Sequence, residues 1–99
     1  MEKLTIKTGE KEELIDITYE VENIIHKLKI QDGIALVYCP HTTAGLTINE
    51  NADPSVKADI ISGLRSLNLE KLHFLHSEGN SPSHIKASLT GFSQMLIIE

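Results

Sequence analysis

Three histidines in polar stretches of the sequence, His41, His76 and His84, are placed to bind a divalent metal ion. Each has a hydroxyl-bearing residue on one side, Thr42, Ser77 and Ser83 respectively, which leaves that side open to a ligand. Neutral imidazole is the commonest protein ligand for zinc, and catalytic zinc sites combine three protein ligands with one open position. The pattern predicts a divalent-metal site, with zinc as the expected ion and magnesium as the alternative.

The same three histidines also have a structural interpretation, as surface or turn residues with ordinary hydrogen bonds. Their spacing matches no local metal motif such as His-Glu-x-x-His, so a shared site requires distant segments to meet. Two other histidines are left out, because His26 belongs to a predicted helix and His73 alternates with apolar neighbours. The sequence leaves the metal-binding and the structural interpretation open.

Amide and acidic side chains fill the segment that precedes the helix starting at Asp53. Glu50 is a candidate general base or metal ligand, and Asn49 is a candidate for orienting a substrate. A role in shaping the turn is the alternative for Asn49. Asp53 fits a helix cap better than a phosphate contact, because an anionic cap competes with phosphate for the same N–H groups.

A phosphate group is expected at the start of the last predicted helix, around residues 81–84, where free backbone N–H groups attract anions. Lys86 adds positive charge nearby. The sequence contains no glycine-rich phosphate loop, Gly-x-Ser-x-Gly elbow or Cys-x-x-Cys pair. The candidate ligand-binding residues are the polar ones of these segments: Thr42, Thr43, Asp53, Asn80, Lys86 and Ser88.

Apolar residues at helical spacing predict two main helices and one short helix. The second and third begin with an acceptor residue followed by proline, at Asp53-Pro54 and at Ser81-Pro82, and Gly91 closes the third. Asp16 or Thr18 is the expected cap of the first helix. The apolar stripe of the first helix runs from Val21 to Leu28 and that of the second from Val56 to Leu67, and the third helix is expected to end at Leu89.

Five strands are predicted from alternating or continuous apolar residues, at residues 4–8, 34–39, 43–48, 72–76 and 95–98. The run at 34–39 is nearly all apolar, which is typical of a strand buried on both faces, and it makes Cys39 a core residue rather than a nucleophile. With no internal repeat or linker, residues 1–99 are predicted to form one α+β domain with mixed or antiparallel sheets.

Composition restricts the partners and the compartment. Hydrophobic residues make up 40% and charged residues 23% of the 99 positions, which is an ordinary globular balance. The net charge of −5 and the scattered basic residues argue against a nucleic-acid partner. The apolar runs are too short to span a membrane, and the N-terminus has no signal-peptide core. With a single cysteine, the expectation is a soluble cytoplasmic protein.

Two long motifs resemble the YjbQ-like family, whose members are labelled secondary thiamine-phosphate synthases. One is PHTTAGLTINENADP at residues 40–54, and the other combines HSEGN at residues 76–80 with HIKASL at residues 84–89. The resemblance covers essentially the whole chain. It implies an α+β fold, assembly as a homotrimer, and a metal, often zinc, held by the histidines that match His41, His76 and His84.

This chain departs from the family pattern in its last and middle parts. Family members continue past the strand that matches residues 95–98 into a further strand pair with a Gly-Thr-Trp-Gln stretch and an Asp-Gly-Pro-Arg turn. Neither stretch is present here, and the chain contains no tryptophan. The segment between Leu67 and His76 is also short, which is expected to reshape the rim of the pocket.

Two functions follow from the residues and the resemblance together. The first is a metal-binding enzyme that joins a pyrimidine diphosphate to a thiazole phosphate with loss of pyrophosphate, so its ligand is a small phosphorylated molecule. The alternative is a non-catalytic, trimeric module that binds a metal or a small ligand and whose histidines serve assembly.

Overall fold

Three α-helices and one two-stranded sheet form the regular structure of the chain. In the computed structural model, which describes residues 1–99, α1 spans Thr18–Lys27, α2 spans Pro54–Arg65 and α3 spans Ser81–Thr90. A 3₁₀ turn at Leu69–Lys71 lies between α2 and α3. The prediction of three helices is confirmed, and α2 and α3 begin within one residue of the starts that their prolines predict.

The starts of α2 and α3 show how local chemistry sets their bounds. Asp53 is the cap of α2, and its side chain accepts a hydrogen bond of 2.9 Å from the backbone N–H of Ser55. Asn80, not Ser81, occupies the cap position of α3, so Ser81 is already helical. Gly91 ends α3 with a φ of +93°, a conformation that favours glycine.

At the start of the first helix, the predicted acceptor Asp16 is confirmed, although it lies one residue before the cap position. The cap position is Ile17, which has no side chain able to cap. Asp16 instead accepts hydrogen bonds from both the backbone N–H of Thr18, at 2.9 Å, and the hydroxyl of the same residue, at 2.6 Å. One free N–H of the first turn is thereby satisfied from outside the helix.

The sheet consists of β1 at Gly33–Tyr38 and β2 at Ser93–Ile98, paired antiparallel. Its register runs from Gly33 opposite Ile98 to Tyr38 opposite Ser93. Two of the predicted strands, at 34–39 and 95–98, are thereby confirmed to within two residues. The α+β fold class is also confirmed, with an antiparallel sheet.

The other three predicted strands are wrong, because a strand requires a partner that a local pattern does not supply. Residues 1–16 form no backbone–backbone hydrogen bonds, so residues 4–8 lack a neighbouring strand. Residues 43–48 form a single backbone bond, from Leu46 N–H to Gly91 O at 3.0 Å. Residues 72–76 follow the 3₁₀ turn without pairing.

One face of the sheet is open, which contradicts the prediction that β1 is buried on both faces. Register pairs place Ile34 beside Ile97 and Leu36 beside Met95, and all four side chains are 61–72% exposed. Tyr38 extends this apolar surface, called here the exposed sheet face. Residues of the opposite face, such as Val37, and Cys39 after the strand are half-buried.

The helices are short as well as amphipathic. None of them combines the length and the apolar character that crossing a membrane requires.

Candidate functional site

The segment that follows β1 lies against the C-terminal end of α3. The backbone N–H of Cys39 donates to the carbonyl of Phe92 at 2.7 Å, and that of Leu46 donates to the carbonyl of Gly91 at 3.0 Å. The rings of Tyr38 and Phe92 also meet edge to face, with centroids 5.9 Å apart. These contacts bring residues 40–45 beside the last turns of α3.

An open groove of about 260 Å³ separates this segment from α3 and is called here the histidine groove. His84 and Ser88 are four residues apart and therefore share one side of the helix. His41 and Thr42 come from the segment after β1. The full lining is His41, Thr42, Ala44, His84, Ala87, Ser88, Gly91 and Phe92.

His76 approaches the same helix from the loop before it. The rings of His76 and His84 have centroids 5.4 Å apart and planes at 78° to each other. Two imidazoles bound to one tetrahedral zinc ion, with nitrogens about 2.0–2.1 Å from the metal, would have centroids about 5 Å apart. This centroid distance is common to two ligands of one ion and to two rings packed edge to face.

The rings of His41, His76 and His84 do not meet around one point in the structure. No set of three or more His, Cys, Asp and Glu side chains surrounds a common point. His41 lines the groove beside His84, and His76 lies beside His84 from the loop, so His84 is common to both arrangements. The three-histidine metal centre stays a prediction.

Asn49, Glu50 and Asp53 do not line the histidine groove. The side-chain oxygen of Asn49 accepts the backbone N–H of Glu50 at 2.7 Å, which is the turn-shaping arrangement considered as its alternative. The N–H of Ser55 stabilises the carboxylate of Asp53 and lowers its pKa. The structure thus shows Asp53 as a cap, and the catalytic roles of the other two stay predictions.

Lys86 is engaged elsewhere. Its ammonium lies 2.7 Å from Glu12 Oε2 and 3.8 Å from Glu70 Oε1, and only 16% of the side chain is exposed. Two residues correspond to about 200° around an α-helix, so Lys86 points away from the side of α3 that carries His84. A bound phosphate in the groove would not meet this ammonium.

Of the remaining predicted ligand residues, Thr42 and Ser88 line the groove, whereas Asn80 and Thr43 do not. Asn80 stands at the start of α3, and its side-chain oxygen is buried without a hydrogen-bond partner. Ser88 donates its hydroxyl to the carbonyl of His84 at 3.0 Å. Thr43 is exposed and does not contribute to the lining.

Three structurally important residues escaped the sequence analysis. Glu12 binds both Lys86 and Arg65, and the hydrogen bond from Lys86 is the main reason that the pKa of Glu12 is lowered. Gly45 lies against Thr90 and Gly91 at the end of α3, and Gln94 bonds to the carbonyl of Leu46 in the segment after β1. No local pattern reveals such contacts, because every partner is distant in the sequence.

A family profile and individual relatives all indicate the same protein family for this chain. The profile described as "UPF0047 protein YjbQ-like" matches residues 2–99. The UPF0047 protein MJ1081 of Methanocaldococcus jannaschii is 57% identical over 97 residues, which cover 98% of this chain and 70% of that protein. The UPF0047 protein YugU of Bacillus subtilis is 46% identical over 104 residues, which cover 100% of this chain and 76% of that protein.

Solved structures with a similar fold indicate the same family. An uncharacterised conserved protein of the YjbQ/UPF0047 family from Clostridium acetobutylicum superposes with a TM-score of 0.90 at 50% identity, covering 95% of this chain and 73% of that one. A conserved hypothetical protein from Thermus thermophilus gives a TM-score of 0.82 at 36% identity, covering 91% and 70%. The resemblance carried by the two motifs is thereby confirmed, and the chain belongs to the UPF0047 (YjbQ-like) family.

Proposed function

We propose that this protein is a metal-binding enzyme of the YjbQ-like family that acts on a small phosphorylated molecule, with a thiamine-phosphate synthase side activity. In that reaction the thiazole nitrogen bonds to the methylene carbon of the pyrimidine. The carbon–oxygen bond to the diphosphate breaks, and pyrophosphate leaves with the electron pair. The observation that carries the proposal is the meeting of His41, Thr42, His84 and Ser88 in one groove.

Each side chain of the groove has a role in this proposal. His76 and His84, whose ring centroids are 5.4 Å apart, would hold a zinc ion together with His41. Magnesium, the alternative ion, prefers oxygen ligands and does not fit a set of three imidazoles. The ion would supply charge neutralisation for the diphosphate. The hydroxyls of Thr42 and Ser88 would donate hydrogen bonds to phosphate oxygens, that of Ser88 after leaving the His84 carbonyl.

The first experiment is a metal assay on protein purified without an affinity tag. One zinc or cobalt ion per binding site, lost in His41→Ala and retained in His26→Ala, would support the proposal. His26 is the matched control because it lies in α1, outside the groove. Uptake that is the same in both variants would refute the metal site.

Turnover then tests whether the groove is catalytic. Wild-type protein and the two variants are incubated with the pyrimidine diphosphate and the thiazole phosphate, and pyrophosphate release is followed. Loss of a ligand in His41→Ala should lower the rate by at least about tenfold, since removal of outer-shell partners alone costs 10–100-fold. Equal rates in wild type and His41→Ala would remove the enzyme interpretation.

A second candidate is a non-catalytic, trimeric module that binds a metal or small ligand. The exposed sheet face favours it, because a contiguous apolar surface is typical of a site where proteins associate. Sedimentation equilibrium would then give three times the 11.0 kDa of one chain. Both candidates are proposed for the cytoplasm, where an unpaired cysteine such as Cys39 is usual.

A further inference from the structure

The two walls of the histidine groove have no regular structure in common. One wall belongs to residues 39–46, which form neither helix nor strand, and the other belongs to α3. The position of His41 relative to His84 therefore depends on the few contacts that join residues 39–46 to the end of α3 and to β2.

Gly45 supplies the closest of these contacts. A Cβ at this position would lie 2.8 Å from the carbonyl oxygen of Gly91 and would overlap the hydroxyl of Thr90. The carbonyl of Gly91 is backbone and also accepts the N–H of Leu46 at 3.0 Å, so it cannot turn aside without breaking that bond. The Thr90 hydroxyl is itself within 3.2 Å of the carbonyls of Lys86 and Ala87. Any side chain at position 45 would lift the segment from the helix.

Gln94 fastens the same segment from the sheet. Its side-chain amide, carried on β2, donates to the carbonyl of Leu46 at 3.1 Å. Leu46 thus has both backbone groups bound, its N–H to Gly91 and its carbonyl to Gln94. This hydrogen bond requires the amide N–H of a glutamine. A glutamate at position 94 has the same shape, but its carboxylate has no N–H to donate and would repel the carbonyl oxygen of Leu46.

We propose that Gly45 and Gln94 are positioning residues of the histidine groove, holding residues 39–46 against the end of α3 so that His41 stays opposite His84. The inference rests on the proposed metal-binding function of that groove. Neither residue touches the ligand; both act through Leu46 and the backbone at Gly91.

The test compares two changes in these contacts with two matched controls. Gly45→Ala adds a methyl group where there is no room, and Gly63→Ala adds one in α2, where no atom lies within 4 Å. Gln94→Glu replaces the donor by a carboxylate, and Gln31→Glu makes the same change at an exposed position. If Gly45→Ala fails to fold, Gln94→Glu, which adds no atoms, keeps the inference testable.

Each protein is titrated with Co²⁺, whose visible absorption reports the number and geometry of its ligands. Gly45→Ala and Gln94→Glu should weaken Co²⁺ binding by about tenfold or more, as outer-shell changes do. They should also alter the absorption at saturation, while the controls match wild type. Unchanged affinity and spectrum in both positioning variants would overturn the inference.

A metal-free measurement separates this inference from the proposed function. The ring proton resonances of His41 and His84 should shift in the two positioning variants and stay in place in the controls, with His26 as the internal reference. If wild type takes up no Co²⁺, the metal-binding proposal fails and these resonances alone decide the positioning role. Ring resonances that do not move would overturn it.

Discussion

His84 is the side chain on which the proposed chemistry depends most. It lines the groove together with His41, and its ring also lies 5.4 Å from that of His76. The two other histidines come from separate loops, whereas His84 is fixed within α3. A metal ion shared by the three would therefore use His84 as the ligand common to both pairs.

This arrangement predicts a ranking of affinities among alanine variants. His84→Ala should weaken Co²⁺ binding by more than about 100-fold, beyond what loss of an outer-shell partner causes, and by more than His41→Ala or His76→Ala. Competition titration against a calibrated chelator measures all three. An effect of His84→Ala no larger than that of His26→Ala would contradict the shared-ligand arrangement.

Gly45 is a position that resists substitution, because it has no space for a methyl group. Gly63 is the opposite case, since its missing side chain faces open space within α2. Replacing Gly63 and Gly45 by alanine therefore compares the free energy of unfolding at an open position and at a crowded one.

We expect Gly63→Ala to stabilise the protein by about 1 kcal/mol, the usual difference between alanine and glycine inside a helix. Gly45→Ala should destabilise it, because the new methyl group meets the Gly91 carbonyl. Urea unfolding of both variants at neutral pH measures the two free energies. Equal midpoints for the two variants would show that the close approach at Gly45 has no energetic consequence.

At the scale of elements, the N-terminal segment is fastened by side chains alone. Residues 1–16 form no backbone–backbone hydrogen bonds. Glu12 binds Lys86 of α3 at 2.7 Å and Arg65 of α2 at 3.2 Å, while Asp16 accepts from the side-chain amide of Asn51. Glu12 thus joins the segment to both helices, and Asp16 joins it to the loop before α2.

Glu12→Gln should release this segment from α2 and α3. Because the Glu12–Lys86 pair is mostly shielded from water, with side chains 20% and 16% exposed, the loss should be about 2 kcal/mol, as for a hydrogen bond between charged groups. Urea unfolding measures the loss of stability, and limited proteolysis within residues 1–16 reports the release. Glu13→Gln is the control, because the Glu13 carboxylate bonds only to Gly9 within the segment. Equal protection in both variants would contradict the attachment.

The same contact predicts a pH dependence. Lys86 and Arg65 hold the pKa of Glu12 below its ordinary value of 4.5, so the unfolded chain binds a proton at a higher pH than the folded chain does. The stabilisation is complete above the ordinary value and is lost as the pH falls through the lowered one. Stability measured between pH 6 and pH 3 should fall less steeply in Glu12→Gln than in wild type.

Elements whose signals are local could be predicted, and those that depend on distant partners could not. The start of α2 follows from the Asp53 cap and Pro54, and the start of α3 follows from Pro82, since Asn80 at its cap position makes no capping hydrogen bond. The strand predicted at 43–48 has suitable β-branched residues, yet its neighbours are the end of α3 and Gln94. For the site, the motifs indicated His41 and His84, but nothing nearby revealed that Gly45 allows their segments to meet.

At the scale of the whole molecule, the chain encloses little of its apolar surface. Pro82 is its one buried residue, and the sheet leaves one face to solvent. An apolar face of this kind is usually covered by another segment or by another chain, and this chain spans 70% and 76% of the length of two of its relatives. The opposite face of β1 is only half-buried, so the sheet contributes a small core to a single chain.

This exposure predicts that association depends on the sheet face in particular. Leu36 is 64% exposed and lies opposite Met95 at the centre of the face, so Leu36→Glu should place a charge there with little loss of internal packing. Leu75→Glu is the matched control, because Leu75 is 98% exposed and lies outside the sheet. In sedimentation velocity, wild type and Leu75→Glu should form oligomers at increasing concentration, and Leu36→Glu should remain monomeric. If Leu36→Glu associates as strongly as wild type, the contact between chains uses another surface, and the trimeric module loses the observation that favours it.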